Sequence, residues 1–297
     1  AATIYSYIKN IPTVVDIKDL WPDIFWDKPK ISNLKKLILQ IIFTPYIFYA
    51  SIIATFATYI TGPTIELADF FTSKYKIKFI SAIFNKKHPK TFASPIVPPT
   101  ETSKININLN KKINPEKCLK IFFLGSLMSV YDFKTVSESL KLLESKNVCY
   151  KLNIAGEGGN AEEIKNIFKD LRNVEFLGWI TREKAIKIAN NSHLGIAPYK
   201  NMLNYELNLV NKYIDYMSLG LPVLSPLKGH IYSLIKKNKI GFNYESQNFV
   251  NLAEVLIKAS KSHEKMSSMS KNAYKLFLNK YNYQKVYGNL VKKLENL

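Results

Sequence analysis

The sequence predicts an α/β fold, with a parallel sheet covered by helices on both faces. Three observations carry the prediction. From Leu119 onward, short apolar runs alternate with amphipathic stretches of helical period. These runs close on Gly125, Gly156, Gly178 and Pro198, at the carboxyl rim where sheets of this kind bind ligands. The chain has 297 residues, 47% of them hydrophobic and 22% charged, which suits one large or two ordinary globular domains.

Taken in order, Thr13 to Ile17 reads as a short buried strand, followed by a polar turn and the aromatic loop "LWPDIF". Residues 37–62 form an apolar stretch, with no charged residue between Lys36 and Glu66. It is long enough to span a bilayer, but Gln40, Pro45 and several Thr, Ser and Tyr residues dilute it. Three readings stand for residues 37–60: a core helix pair broken near Pro45, a helix lying on a membrane with Lys35 and Lys36 at its front, or a true span. "YKIKFISAIF" (75–84) begins with strand-like alternation. Residues 88–117 hold five prolines among polar runs and read as an interdomain linker.

Beyond the linker, strands are predicted at 119–126, 150–158, 174–179, 194–198 and 221–225. Between them lie helices at 135–146, 161–171, 181–191 and 211–220, with Thr181 as the N-cap of the third. The Tyr-rich tail reads as a helix packing across the domains. The predicted divisions are 1–110, 111–275 and 276–297.

Net charge is +19, almost all of it lysine, since Arg172 and Arg182 are the only arginines. Base readout favours arginine forks, so the charge argues against sequence-specific nucleic-acid binding and toward an anionic substrate or membrane surface. Cys118 and Cys149 form no CxxC and no Cys/His cluster, which argues against a metal site and points to a reducing compartment.

The segment "NKYIDYMSLGLPVLS" (211–225) places Lys212 and Asp215 at the front of a helix that stops at Gly220. Unpaired N–H groups at a helix start attract anions, and Lys212 adds a positive charge. Asp215 suits hydroxyl groups. Together they fit a ligand carrying phosphate and sugar.

The pieces "IFFLGSL", "LNIAGEGG", "NVEFLGWITREK", "LGIAPY", "NKYIDYMSLGLPVLS" and "NKIGFNY" occur in the order and at the spacings of a known family. The stretch from 119 to about 245 resembles the donor-binding domain of a retaining glycosyltransferase of family 4 (glycosyl transferases group 1). "VVDIKDLWPDIF" resembles the acceptor domain of the subgroup that builds bacterial capsules and O-antigens. The resemblance implies a GT-B type fold of two Rossmann-like doubly wound lobes, with 1–110 a partial acceptor lobe and 111–275 the donor lobe. It implies an enzyme that moves a hexosyl or N-acetylhexosaminyl group, with retention, from a UDP- or GDP-sugar to a glycan or polyprenyl-linked acceptor. It implies no metal and no other cofactor. The apolar stretch 37–60 and the lysine excess point to a peripheral place at the inner face of the plasma membrane, beside anionic lipid. The family's acceptor lobe begins with a strand and a glycine-rich loop. Neither is visible ahead of Ile11, so the resemblance implies N-terminal truncation.

Residue by residue, Gly125 and Ser126 match the turn over the phosphates, and Lys212 matches the lysine near the diphosphate. Asp215 stands at the glutamate that holds the ribose hydroxyls. Gly156, Glu157, Gly158, Gly178 and Trp179 match loops lining the nucleoside, and Asn208 opens the helix front. Lys134 is the candidate substitute for an arginine that the family often carries after the glycine turn. Leu207 stands where many members have a second glutamate, flanked by Glu206 and Asn208. Asp19 matches a catalytic-side position that orients the acceptor or balances charge, with Asp16 and Asp23 as rivals, and Trp21 is a candidate acceptor platform. His193 and His230 read as structural or solvated. The alternative reading is a sugar-nucleotide-binding or membrane-associated remnant without catalysis.

Overall fold

A computed structural model describes residues 2–27, 31–83, 89–97, 107, 109 and 117–296. The chain divides into two compact units. The first comprises Ala1–Ile96, Met202–Val210 and Gln284–Leu297; the second comprises Val97–Asn201 and Asn211–Tyr283. The boundaries therefore differ from the predicted ones. Residues 202–210 and the C-terminal helix belong to the first unit, although the sequence between them belongs to the second.

The first unit runs α1 (Ala2–Ile8), β1 (Val14–Asp16), α2 (Asn33–Ile42), α3 (Thr44–Phe56), β2 (Tyr59–Gly62), α4 (Ile65–Tyr75), α5 (Lys78–Ile83) and β3 (Lys90–Ala93). Its three strands are parallel in the order β1-β2-β3. Ala54, Ile60, Ala68 and Phe71 pack into its core. Two expectations are corrected here. The alternation at 75–84 is helical: Tyr75 ends α4 and residues 78–83 form α5. The predicted linker contains β3 at Lys90–Ala93; most of 98–117 lies outside the described residues.

The apolar stretch is two helices bent by 69° at Phe43. Pro45 sits in the first turn of α3, where its missing N–H leaves no hydrogen bond unmade. Among the described residues no single helix is long and apolar enough to cross a membrane; the bent pair passes by length and composition only. The core reading holds for α3, which buries Ala50, Ala54 and Thr55. It fails for α2, which buries nothing.

The second unit contains β4 (Leu119–Leu124), α6 (Phe133–Ser145), β5 (Tyr150–Ala155), α7 (Ala161–Ile167), β6 (Val174–Phe176), α8 (Arg182–Asn190) and β7 (Leu194–Ile196). The short α9 (Leu203–Leu207) falls in the first unit. The second resumes with α10 (Asn211–Ser218), β8 (Val223–Ser225), α11 (Gly229–Asn238), β9 (Gly241–Asn243), α12 (Phe249–Ser260) and α13 (His263–Leu276), and α14 (Tyr283–Glu295) returns to the first. The sheet is parallel throughout, in the order β6-β5-β4-β7-β8-β9. Strand order reverses between β4 and β7, the switch point at which a doubly wound sheet opens a crevice. Thr181 caps α8 as predicted, accepting from the Lys184 N–H.

The β4–β5 register sets Leu119 against Tyr150, so Cys118 and Cys149 stand opposite each other at the strand starts. They are joined by a disulfide, with Cα atoms 4.6 Å apart. This corrects the expectation of reduced thiols; a pairing set by strand register has no local sequence signal.

Candidate functional site

The site of the second unit is built on the ends of β4, β5 and β6. Strand β4 is apolar along most of its length because both of its faces are covered. It ends at Gly125, whose φ of +139° favours glycine. Gly156 follows β5 at φ +135°, and a Cβ there would strike the Gly125 carbonyl. A Cβ on Gly158 would strike the Leu127 backbone. The three glycines thus bring two loops into backbone contact at the strand ends. The Gly125 N–H donates to the Ala155 carbonyl at 2.9 Å, and the Gly156 N–H to the Gly178 carbonyl at 2.7 Å. Glu157 accepts from the Trp179 N–H at 3.4 Å, and the Trp179 ring is 72% exposed. Ser126 is exposed on the same turn.

Lys212 reaches this turn from α10. It is 6% exposed, and its ammonium donates to the Leu124 carbonyl, directly before Gly125. The nitrogen lies 4.0 Å from the centre of the Phe123 ring and 5.0 Å from that of Tyr131. Burial lowers its pKa to about 7, against a smaller upward pull from Asp215. Half-buried Asp215 is shifted the other way: desolvation raises its pKa, offset in part by Lys212 and Arg182. A group that binds a proton near neutrality therefore stands beside backbone amides and a carboxylate. Such a cluster holds anionic and hydroxylated groups together.

Several features here had no reading in the sequence. The Tyr216 hydroxyl donates to the Ile196 carbonyl at 2.7 Å and accepts from the Leu124 N–H at 3.2 Å, tying β4 to β7 at the switch point. Its ring leaves no room for a Cβ on Gly195. The Phe123 and Tyr131 rings wall Lys212, and the positive charge of Arg182 works against the rise in the Asp215 pKa. Lys134, by contrast, is exposed in the first turn of α6, which Asp132 caps. Among the described residues no group of three or more His, Cys, Asp or Glu is placed to hold a metal. His193 is buried, and its Nδ1 accepts from the Lys120 N–H at 2.8 Å, a structural role.

The family model described as "Glycosyl transferases group 1" matches residues 105–276, more than half of the chain. The chain belongs to the glycosyl transferases group 1 family. No curated protein sequence matches it. Among solved structures, this group 1 chain is similar to Anabaena Alr3699/HepE in complex with UDP and glucose, at 13% identity and a TM-score of 0.66, covering 100% of this chain and 74% of the other. Sucrose-phosphate synthase from Thermosynechococcus elongatus aligns at 12% identity and a TM-score of 0.70, covering 96% and 68%. An S. aureus TarM mutant in complex with fondaparinux, alpha-GlcNAc-glycerol and UDP aligns at 16% and 0.65, covering 96% and 51%. These likenesses show the shared fold, the α/β GT-B type of the group 1 glycosyltransferases.

The first unit holds the remaining candidates. Asp19 is exposed, and its Oδ1 accepts from the Asn204 amide at 2.8 Å. Asn204 Oδ1 accepts in turn from the Leu20 N–H at 2.8 Å, so one buried amide clamps the 19–20 turn. The Asn204 backbone N–H donates to Asp27 at 3.3 Å, and burial raises the Asp27 pKa. Asp16 pairs with Lys18 at 2.5 Å. Asp23 is buried, paired with Lys74 and accepting from the Tyr75 hydroxyl at 2.5 Å, so its carboxylate is fully engaged. Buried Asn208 donates to the Lys18 carbonyl at 2.9 Å, and Leu207 accepts from the Thr64 hydroxyl through its own carbonyl. The amide of Asn208 is thus spent within the first unit.

On the same unit, α2 presents Leu34, Leu37, Ile38, Ile41 and Ile42, one helical stripe, at 47–69% exposure. At the bend below it, Phe25 and Phe43 stack with ring centres 4.3 Å apart, and Trp21 lies 5.8 Å from Tyr46.

Proposed function

We propose that the protein is a retaining glycosyltransferase that moves a hexosyl or N-acetylhexosaminyl group from a UDP- or GDP-sugar to an acceptor in bacterial surface polysaccharide synthesis. One observation carries the reading: the Lys212 ammonium at the Gly125 turn, on the switch-point rim of the sheet. When the bond between the anomeric carbon and the diphosphate oxygen breaks, negative charge collects on the diphosphate. A preorganised ammonium and the amides of the Gly125–Ser126 turn stabilise that charge, and the catalyst needs no metal. Asp215 accepts from ribose hydroxyls, while Gly156, Glu157, Gly158, Gly178 and Trp179 line the nucleoside. Lys134 contributes longer-range positive potential, and Asn208 supports the start of α10 through its backbone. On the acceptor side, Asp19 is the carboxylate that orients the incoming hydroxyl, held by Asn204. Calorimetry with UDP, GDP and their sugars tests this. The expected result is saturable binding that Lys212→Ala weakens along with turnover; wild-type turnover in Lys212→Ala overturns it.

We further propose that the acceptor is polyprenyl-linked or a membrane-near glycan, and that the enzyme sits peripherally on the anionic inner face of the plasma membrane. The exposed stripe of α2 supports this, with Lys35 and Lys36 off the stripe on the same helix, as does the excess of lysine. Flotation with anionic liposomes should fail for Leu37→Asp/Ile41→Asp. A second reading, a nucleotide-sugar-binding module without turnover, draws on Leu207 in place of the family's second glutamate. Binding without transfer or donor hydrolysis would favour it.

A further inference from the structure

The first unit carries a groove of about 600 Å³ between β3 and α14, well within the size of small-ligand pockets, roughly 300–1,000 Å³. It reaches the amino ends of β2 and β3, where Tyr59 and Lys90 begin their strands. The segment 16–19, at the carboxyl end of β1, lines none of it.

The charges on its wall are all of one sign. Lys90, Lys292 and Lys293 line the groove, and no carboxylate does. Among the described residues none of the three forms an ion pair. Two rest on rings instead. The Lys293 nitrogen lies 4.2 Å from the centre of the Phe92 ring, and that of Lys90 lies 5.7 Å from the centre of the Tyr59 ring. The two rings meet edge to face with centres 6.3 Å apart. Each ammonium is steadied by a ring, while the repulsion between neighbouring ammonium groups goes uncompensated. Lys292 and Lys293 also complement the carboxyl end of α14, but that does not account for Lys90 on the opposite wall.

The uncharged part of the wall offers hydrogen bonds. Strand β3 pairs with β2 alone among the described residues. The Lys90 and Ser94 N–H groups donate to the Thr58 and Gly62 carbonyls. By the alternation of a strand, the N–H groups of Thr91 and Ala93 point away from β2, along the free edge. Asn289 and Asn296 add carboxamides from the α14 side. A nucleobase would seek an open ring face, and lysines lie over Phe92 and Tyr59. A single phosphate would engage only part of a groove this large. The wall suits an extended anion rich in hydroxyl groups.

We propose that this groove binds an acidic saccharide, a sugar chain carrying carboxylate or phosphate groups. For its purpose the inference rests on the transferase reading: the groove is a second hold on an acidic glycan, away from the Asp19 end where the glycan is extended.

The test is calorimetric, on the full chain, in about 0.15 M salt, where exposed charges are screened beyond roughly 8 Å. Trigalacturonate is the carboxylate probe and glucose 1,6-bisphosphate the phosphate probe. Maltotriose is the neutral control, hexaglutamate and inorganic phosphate are the other anions, and UDP is titrated separately. At least one acidic sugar should bind saturably, at least tenfold tighter than maltotriose, and the one that binds tells carboxylate from phosphate. Lys292→Glu/Lys293→Glu should weaken it at least tenfold and leave UDP unchanged. Lys9→Glu/Lys78→Glu, an equal change of charge at exposed positions outside the groove, should leave it within about twofold. Lys90→Glu, on the other wall, should act in the same direction as the Lys292/Lys293 pair, so the test stands if either variant loses its native circular dichroism. Failure of both acidic sugars to bind overturns the proposal, as does an equal loss in the Lys9/Lys78 variant, which would mean general attraction to a cationic chain. Hexaglutamate or inorganic phosphate binding as tightly as the sugars also overturns it, since the groove would then take an acidic peptide or a bare anion. Failure of the wild type to bind UDP, with acidic-sugar binding intact, defeats the transferase reading instead.

Discussion

The Lys212 ammonium lies 4.0 Å above the centre of the Phe123 ring and donates to the carbonyl of Leu124, the residue just before the Gly125 turn. A cation held this way is shielded from water but not paired with an acid at contact distance. Its electrostatic capacity stays open to a ligand.

This placement sets a pH dependence. Burial lowers the Lys212 pKa from 10.5 to about 7, so near neutrality the amine is close to half protonated. A bound diphosphate favours the ammonium and raises that pKa again. Binding should therefore take up a proton, and affinity for UDP should fall as pH rises through 7. Calorimetry in two buffers of different ionisation enthalpy checks this. The stability sign is opposite. Between about 7 and 10.5 the unfolded chain binds the proton that the folded chain has lost, so this group makes the fold more stable as pH rises across that window. Lys212→Met should remove both effects and weaken UDP about tenfold to about a hundredfold, the scale of a lost charged hydrogen bond.

Gly156 and Gly159 form an internal control. A Cβ on Gly156 meets the Gly125 carbonyl at a φ of +135°, whereas nothing lies within 4 Å of a Cβ on Gly159. Gly156→Ala should cost about 1–3 kcal/mol and, on the proposed donor site, weaken UDP binding by displacing the Gly125 turn. Gly159→Ala should leave both within error. Thermal unfolding with and without UDP measures the difference.

What the sequence made legible follows from what is local in it. The strand–helix alternation from Leu119 and the glycine stops at 125, 156 and 178 are short-range patterns, and the sheet follows them. Positive φ at those glycines is why the residue type itself was informative. Tyr75, Ile77 and Phe79 misled because their spacing imitates a strand, whereas Tyr75 closes α4 with its ring in the core and Phe79 lies exposed on α5. The sequence pattern sets Lys212 near the Gly125 turn but carries no sign of its burial. That depends on Phe123 and Tyr131, brought in by a contact spanning 88 residues. The Asn204–Asp19 hydrogen bond spans 185 residues and had no sequence signal at all.

The Cys118–Cys149 disulfide closes a loop of 31 residues between the starts of β4 and β5. Its removal by reductant or by Cys118→Ser should lower unfolding stability by about 2–4 kcal/mol. The fold should remain, because Leu119 and Tyr150 keep their ladder hydrogen bonds. Thiol titration of the denatured, unreduced chain should find no free cysteine, and denaturant melts with and without reductant give the difference.

Asn204 separates the two halves of the proposed chemistry. Its amide holds Asp19 at 2.8 Å and satisfies the Leu20 N–H at 2.8 Å, both within the first unit. Asn204→Ala leaves the Leu20 donor buried and unpaired, a cost of about 1–3 kcal/mol, and frees the Asp19 carboxylate to rotate. Asn204→Asp keeps the acceptor for Leu20 but sets one carboxylate against another. Both variants should lower turnover at saturating donor, and Asn204→Asp should be the more stable of the two in denaturant. UDP affinity, which the proposed donor site assigns to Lys212 and the glycine turn of the second unit, should not move in either. A parallel loss of UDP binding would mean that Asn204 supports the fold of the donor helix rather than the orientation of Asp19.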